Sequence, residues 1–168
     1  MAGMTSILWR RLDTPGHEFA RIAGRTLSGT ALFLHDGAPV RLAYEITCDR
    51  AWNTRRCRVR GFVGPKRIGI DFTAPWEGCI DVDLNFSPAT NTLPIRRLDL
   101  AIGASADVRA AWLRFPSFHL EVLEQRYTRL TEKTFRYESA GGSFVREIEV
   151  NDIGLITRYP GFFEEERG

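Results

Sequence analysis

At 168 residues, with 43% hydrophobic and 26% charged side chains, the chain has the make-up of a single globular domain (residues 1–168), not of a disordered tail. A domain of this length buries roughly 70% of the surface its unfolded chain exposes, so a core needs neither disulfides nor a metal. A formal net charge of +2 is too small for a nucleic-acid surface, and no run of 18 apolar residues is present to span a membrane.

The start, residues 1–16, has no basic region ahead of an apolar stretch, so it reads as the beginning of the domain and not as a secretory leader. Thr30 to Leu34 reads as a strand. His35 to Pro39 is a turn in which Asp36-Gly37 favours positive φ, the signature of a hairpin. Val40 to Asp49 then alternates apolar with polar or small residues, the period of a strand with one buried face. Trp52 to Val63 is a further strand, broken by Gly64-Pro65, and Arg67 to Thr73 carries Ile68, Ile70 and Phe72 on one face. After the loop Ala74 to Gly78, Cys79 to Leu84 predicts a short strand with Ile80, Val82 and Leu84 on one side and Asp81 and Asp83 on the other.

Ala106 to Phe115 fits a helix face or a strand; Pro116 disfavours a helical Phe115 and tips the reading to strand. Phe118 to Leu130, Thr134 to Ser139, Ser143 to Val150 and Leu155 to Tyr159 continue the strand pattern, with turns at Ala140-Gly141-Gly142 and Asn151 to Gly154. The polar tail Glu164 to Gly168 is expected to fray. No segment carries three capped helical turns. The fold class is therefore mainly all-β and antiparallel: a sandwich, a barrel or a curved sheet. Two runs of strands, 17–73 and 106–159, flank a proline-containing middle and could be a distant duplication, although no residue-level repeat supports one.

Candidate chemistry is sparse. Cys48, Cys57 and Cys79 form no C-x-x-C pair and read as free thiols in a reducing cytoplasm. Asp81 and Asp83 could hold calcium or act as an acid/base pair, but a structural bridge from Arg96 or Arg97 is the simpler reading. On a strand, only one of those adjacent arginines can meet them. Arg56, Arg58 and Arg60 share a strand face that is solvated or meets an anionic head group. With 21 arginines against Lys66 and Lys133, arginine clusters are a compositional habit of this chain and weak evidence of function. No nucleophile elbow, zinc-protease, P-loop or dinucleotide motif occurs, so neither catalysis nor a cofactor is proposed from sequence. His119 with Glu121, or Asp83 with Arg97, would be the pairs for an enzyme acting on a small hydrophobic or sugar-bearing substrate.

Thr90-Asn91-Thr92-Leu93-Pro94-Ile95-Arg96-Arg97-Leu98, Phe115-Pro116, Gln125 to Leu130, and Asp152 to Ile156 running into Tyr159-Pro160-Gly161 resemble the putative glycolipid-binding family of bacteria. Leu8-Trp9-Arg10 and Gly78 to Leu84 extend the resemblance over nearly the whole chain. It implies a curved antiparallel sheet closing into a partly open barrel, similar to bacterial lipoprotein carriers, around an apolar hollow. The chain looks short between Phe72 and Cys79, which would open the mouth of a pocket bordered there. The expected function is non-catalytic binding of a glycolipid or other amphipathic molecule. Arg96, Arg97, Tyr127 and Tyr159 would meet its head at a rim, and Trp112 would add an aromatic wall. A structural or protein-interaction role is the remaining alternative, and an exposed edge strand could pair two copies into a homodimer.

Overall fold

The computed structural model describes residues 5–168; the first four, part of the stretch read for a leader, lie outside the described residues. The six strands β1 (Thr5–Arg11), β2 (Gly16–Ala23), β3 (Thr26–His35), β4 (Ala38–Cys48), β5 (Thr54–Val63) and β6 (Lys66–Thr73) form one antiparallel meander. The short β7 (Asp81–Leu84) leads into the middle segment, which contains one helix, α1 (Thr92–Leu98). A second meander follows: β8 (Ser105–Leu113), β9 (Leu120–Arg129), β10 (Thr134–Ser139), β11 (Phe144–Val150), β12 (Ile156–Tyr159) and β13 (Phe163–Glu165). All belong to one 13-stranded sheet in the order β6-β5-β4-β3-β2-β1-β13-β12-β11-β10-β9-β8-β7. Every pairing is antiparallel except β7 with β8. The two strand runs expected from sequence thus extend to 5–73 and 105–165 and meet edge to edge at β1 and β13. The sheet is the curved, mostly antiparallel one expected; it curls but does not close into a barrel, and β6 and β7 remain its two ends.

The alternation that marked Val40 to Asp49 is the alternation of burial: Val40, Leu42, Tyr44 and Ile46 face inward from β4. The β3–β4 hairpin turns at Asp36 and Gly37, both at positive φ, which a two-residue turn matched to strand twist requires. Gly29 on β3 is a close approach. A side chain there would overlap the Tyr44 hydroxyl, so glycine leaves the room that ring occupies.

Two expectations fail for identifiable reasons. The tail does not fray through Glu165: Trp9 and Arg10 pair with Glu165 and Glu164, Phe163 is buried, and the Glu166 amide donates to the Leu8 carbonyl at 2.8 Å. Without that short strand the edge of β1 would lack partners. Nor does β7 have an apolar and a polar side. Asp81, Val82 and Leu84 are all buried and Ile80 is exposed, because β7 is covered on both faces and Asp81 carries its own counter-ion.

The main departure is at the centre. Sequence reasoning placed a greasy hollow there. The structure fills it with residues 86–94 of the chain itself, all buried, in which a 3₁₀ turn at Ala89–Asn91 runs into α1. Phe86, Ala89 and Leu93 supply the apolar contacts of this plug. Two of its polar residues are tied by hydrogen bonds, Thr90 Oγ1 accepting from the Leu84 amide (3.2 Å) and Asn91 Nδ2 donating to the Tyr127 hydroxyl (2.8 Å), while Thr92 Oγ1 has no partner among the described residues. Such bonds offset the cost of burying polar groups.

Candidate functional site

The helix decides where the arginines go. On a strand Arg96 and Arg97 would oppose each other; on α1 they are about 100° apart and diverge. Arg97 forms a two-pronged bond to the buried carboxylate of Asp81, with Nε 3.2 Å from Oδ1. Arg96 lies with its guanidinium 4.2 Å from the ring centre of Trp52 and donates to the Ile153 carbonyl at 2.6 Å. It lines a polar cleft of about 510 Å³ together with Asp99, Arg129, Lys133 and Asp152.

A different cleft, of about 340 Å³, opens where β7 passes into the plug. Trp112, Tyr137, Phe144, Tyr159, Phe162 and Phe163 line it, with Leu123 and Pro88. Five of these rings, all but Trp112, form one connected set. Tyr137 is centred 6.1 Å from Phe144 and 6.4 Å from Tyr159, and Tyr159 is 5.4 Å from Phe162. These are spacings of favourable aromatic pairs.

Asp83 stands in this wall. Its register opposite Trp112 sets it on the same side as Gln125 and Tyr137, because paired residues of neighbouring strands point the same way. Gln125 Nε2 donates to Asp83 Oδ2 at 2.7 Å and to the Tyr137 hydroxyl at 3.0 Å. Oδ1 has no partner among the described residues and Asp83 lines the cleft. Desolvation pushes its carboxyl up to about 6, and the hydrogen bond from Gln125 offsets only part of that. Among the described residues lining the cleft Asp83 is the one carboxylate, and no histidine joins it.

Of the residues singled out from sequence, Trp112 and Tyr159 line this cleft. Tyr127 is buried beneath it, holding Asn91 of the plug. Arg96 and Arg97 are elsewhere, so the cleft has no rim built from them. The enzyme pairs do not form either: Asp83 meets Gln125 and not Arg97, while His119 is exposed and Glu121 pairs with Arg114. The loop 74–78 does not border the cleft, so its brevity does not widen the mouth. Sequence reasoning missed Gln125, Tyr137, Phe144 and Phe162; only the in-phase aromatics of Thr134–Ser139 hinted at one of them.

A second buried acid lies nearby. Glu18 on β2 is 1% exposed and accepts from Tyr44 Oη at 2.6 Å and from Ser87 Oγ of the plug, while its Oε2 has no partner among the described residues. Burial pushes its carboxyl from 4.5 up to about 7, against those two bonds and the charge of Arg11. The folded chain therefore keeps a proton that the unfolded chain has lost between these values. Stability should fall as pH rises from 4.5 to 7, by at most about 1.4 kcal/mol per unit from this group. Asp81 and Asp83, also raised, act in the same sense at lower pH. Urea unfolding of wild type and Glu18→Gln across that window should show the two curves diverging in slope; parallel curves would refute the assignment.

No curated protein matches the chain. The crystal structure of a DUF1089 family protein from Pseudomonas aeruginosa superimposes with a TM-score of 0.82 at 29% identity, covering 88% of this chain and 90% of that one. The profile of the family described as "Putative glycolipid-binding" matches residues 6–165. The chain belongs to the putative glycolipid-binding family.

Proposed function

We propose that this protein binds an amphipathic molecule in the Asp83 cleft and does not convert it chemically. The observation that carries the reading is the cleft itself: about 340 Å³ walled by five connected aromatic residues and Trp112, with one half-satisfied carboxylate. That volume lies within the range of small-molecule sites, and a mostly apolar lining with few polar groups is their usual chemistry. Each methylene of a tail buried there contributes roughly 0.8 kcal/mol. The family description supports binding of a glycolipid in the same coarse sense. Catalysis by paired acids would need a second carboxyl or an imidazole beside Asp83, and the other titratable side chains in the lining are the phenols of Tyr137 and Tyr159, which burial holds protonated. The free thiols of Cys48, Cys57 and Cys79 favour a reducing compartment, which supports a cytoplasmic location.

Native mass spectrometry of delipidated protein with decyl glucoside should give a one-to-one adduct. Leu123→Trp, a partly exposed strand position in the cleft wall, should abolish the adduct while leaving the melting temperature within a few degrees of wild type. An adduct that survives this substitution would place the ligand elsewhere.

A further inference from the structure

We infer that the cleft selects a ligand whose polar end is a protonated amine, held by Asp83 inside the aromatic wall. The inference rests on the cleft being a binding site and goes further, to the charge of what it takes. Two independent features converge on a cation. The first is a carboxylate without a counter-charge. No arginine pairs with Asp83 among the described residues: Arg97 goes to Asp81, Arg114 to Glu121 and the face of Trp112, and Arg146 donates to the Val145 and Pro160 carbonyls while lying over the rings of Phe144 and Phe162. Gln125, a neutral donor, satisfies Oδ2 only, and Oδ1 is left to whatever enters.

The second feature is the wall. Six rings surround one small volume; Arg114 already lies over Trp112, Arg146 over Phe144 and Phe162, and Arg11 over Phe163, so the faces of Tyr137 and Tyr159 are the ones with no guanidinium over them among the described residues, and ring faces attract cations through their quadrupoles. A sugar hydroxyl could donate to Oδ1 but would leave the negative charge of Asp83 uncompensated and gain little from the ring faces. An ammonium donates the same hydrogen bond, neutralises the carboxylate and gains from the rings. An anionic head is excluded by repulsion. The Tyr137 and Tyr159 hydroxyls, held protonated by burial, add polar contacts but no charge at neutral pH.

The test uses three amphiphiles with the same ten-carbon tail, decylammonium, decyl glucoside and decyl sulfate, titrated calorimetrically below their micelle concentrations at pH 7.5. Decylammonium should bind wild type at one site about ten-fold or more tighter than the glucoside, as expected for a charge-assisted hydrogen bond over a neutral one. Asp83→Asn keeps the shape of the side chain and should abolish the preference, bringing the affinity for decylammonium down to that for the glucoside. Leu123→Trp should remove both, which separates the cleft from adventitious association with surface acids. Equal affinities in wild type, or a preference that survives Asp83→Asn, overturns the inference while leaving the cleft a lipid site. Failure of all three to bind wild type overturns the binding reading, and the inference with it.

Discussion

Arg97→Ala is expected to remove about 3–5 kcal/mol of unfolding free energy at pH 7. Asp81 is 1% exposed, and its bond to Arg97 is the ion pair that fastens the end of α1 to β7. Deleting the guanidinium leaves the carboxylate in the interior with its desolvation uncompensated. Desolvation already raises the Asp81 carboxyl above its ordinary value with Arg97 in place; without Arg97 it rises further. The variant can then escape part of the penalty by taking up a proton, so its deficit should shrink as pH is lowered. Asp81→Asn should cost less, since the Arg97 side chain is 19% exposed and its freed guanidinium can reach water. Replacing both by apolar residues, as in Arg97→Met with Asp81→Leu, should recover most of the loss, because a buried pair contributes little net stability over well-packed apolar groups. Denaturant unfolding of the four proteins at pH 5 and 7 decides it. An Arg97→Ala protein within about 1 kcal/mol of wild type at pH 7 would mean that the pair does not fasten the plug.

Trp9→Ala should cost as much through a different mechanism. Trp9 is fully buried on β1, and its indole Nε1 donates to the Ile156 carbonyl of β12 at 2.7 Å, reaching past β13. The seam between the meanders is short, since β1 and β13 pair only from Trp9–Glu165 to Arg11–Phe163. Trp9 is one of several side chains that join the halves, beside the Arg10 ion pairs to Glu164 and Glu166 and the Phe33–Phe115 ring contact. Large aromatic-to-alanine substitutions in cores cost about 3–5 kcal/mol. For a chain of this size that is a fall in melting temperature on the order of 10 °C. Trp9→Phe separates the contributions: it keeps most of the volume and should lose about 1–3 kcal/mol for the carbonyl left without its donor. Calorimetry should show one transition in wild type. If Trp9→Ala melts with wild type, the halves are held together elsewhere.

The strands were legible because their signal is local. The alternation of Val40 to Asp49, the Asp36-Gly37 turn and Pro116 after an ambiguous segment each act through neighbours in the chain, and the structure places β4, the hairpin and β8 there. The plug was not legible, for the opposite reason. Ser87, Thr90 and Asn91, set around Pro88, have the composition of a solvent loop. Their burial becomes tolerable through bonds to Glu18, Leu84 and Tyr127, which come from other parts of the sheet. A two-turn helix without a side-chain cap leaves no periodicity to read. Asp83 suffers the same fate. In sequence it is indistinguishable from Asp81, two residues earlier, and what divides them is that Arg97 reaches one and Gln125 the other.

Because its own segment occupies the middle of the curl, this molecule has no sealed vault to unlock. A molecule held in the proposed cleft would lie against the outside of that segment, beside Tyr159 and Phe162, where its entry would call for side-chain motion and not for separation of strands. Side-chain motions of that kind are fast next to the opening of a sheet.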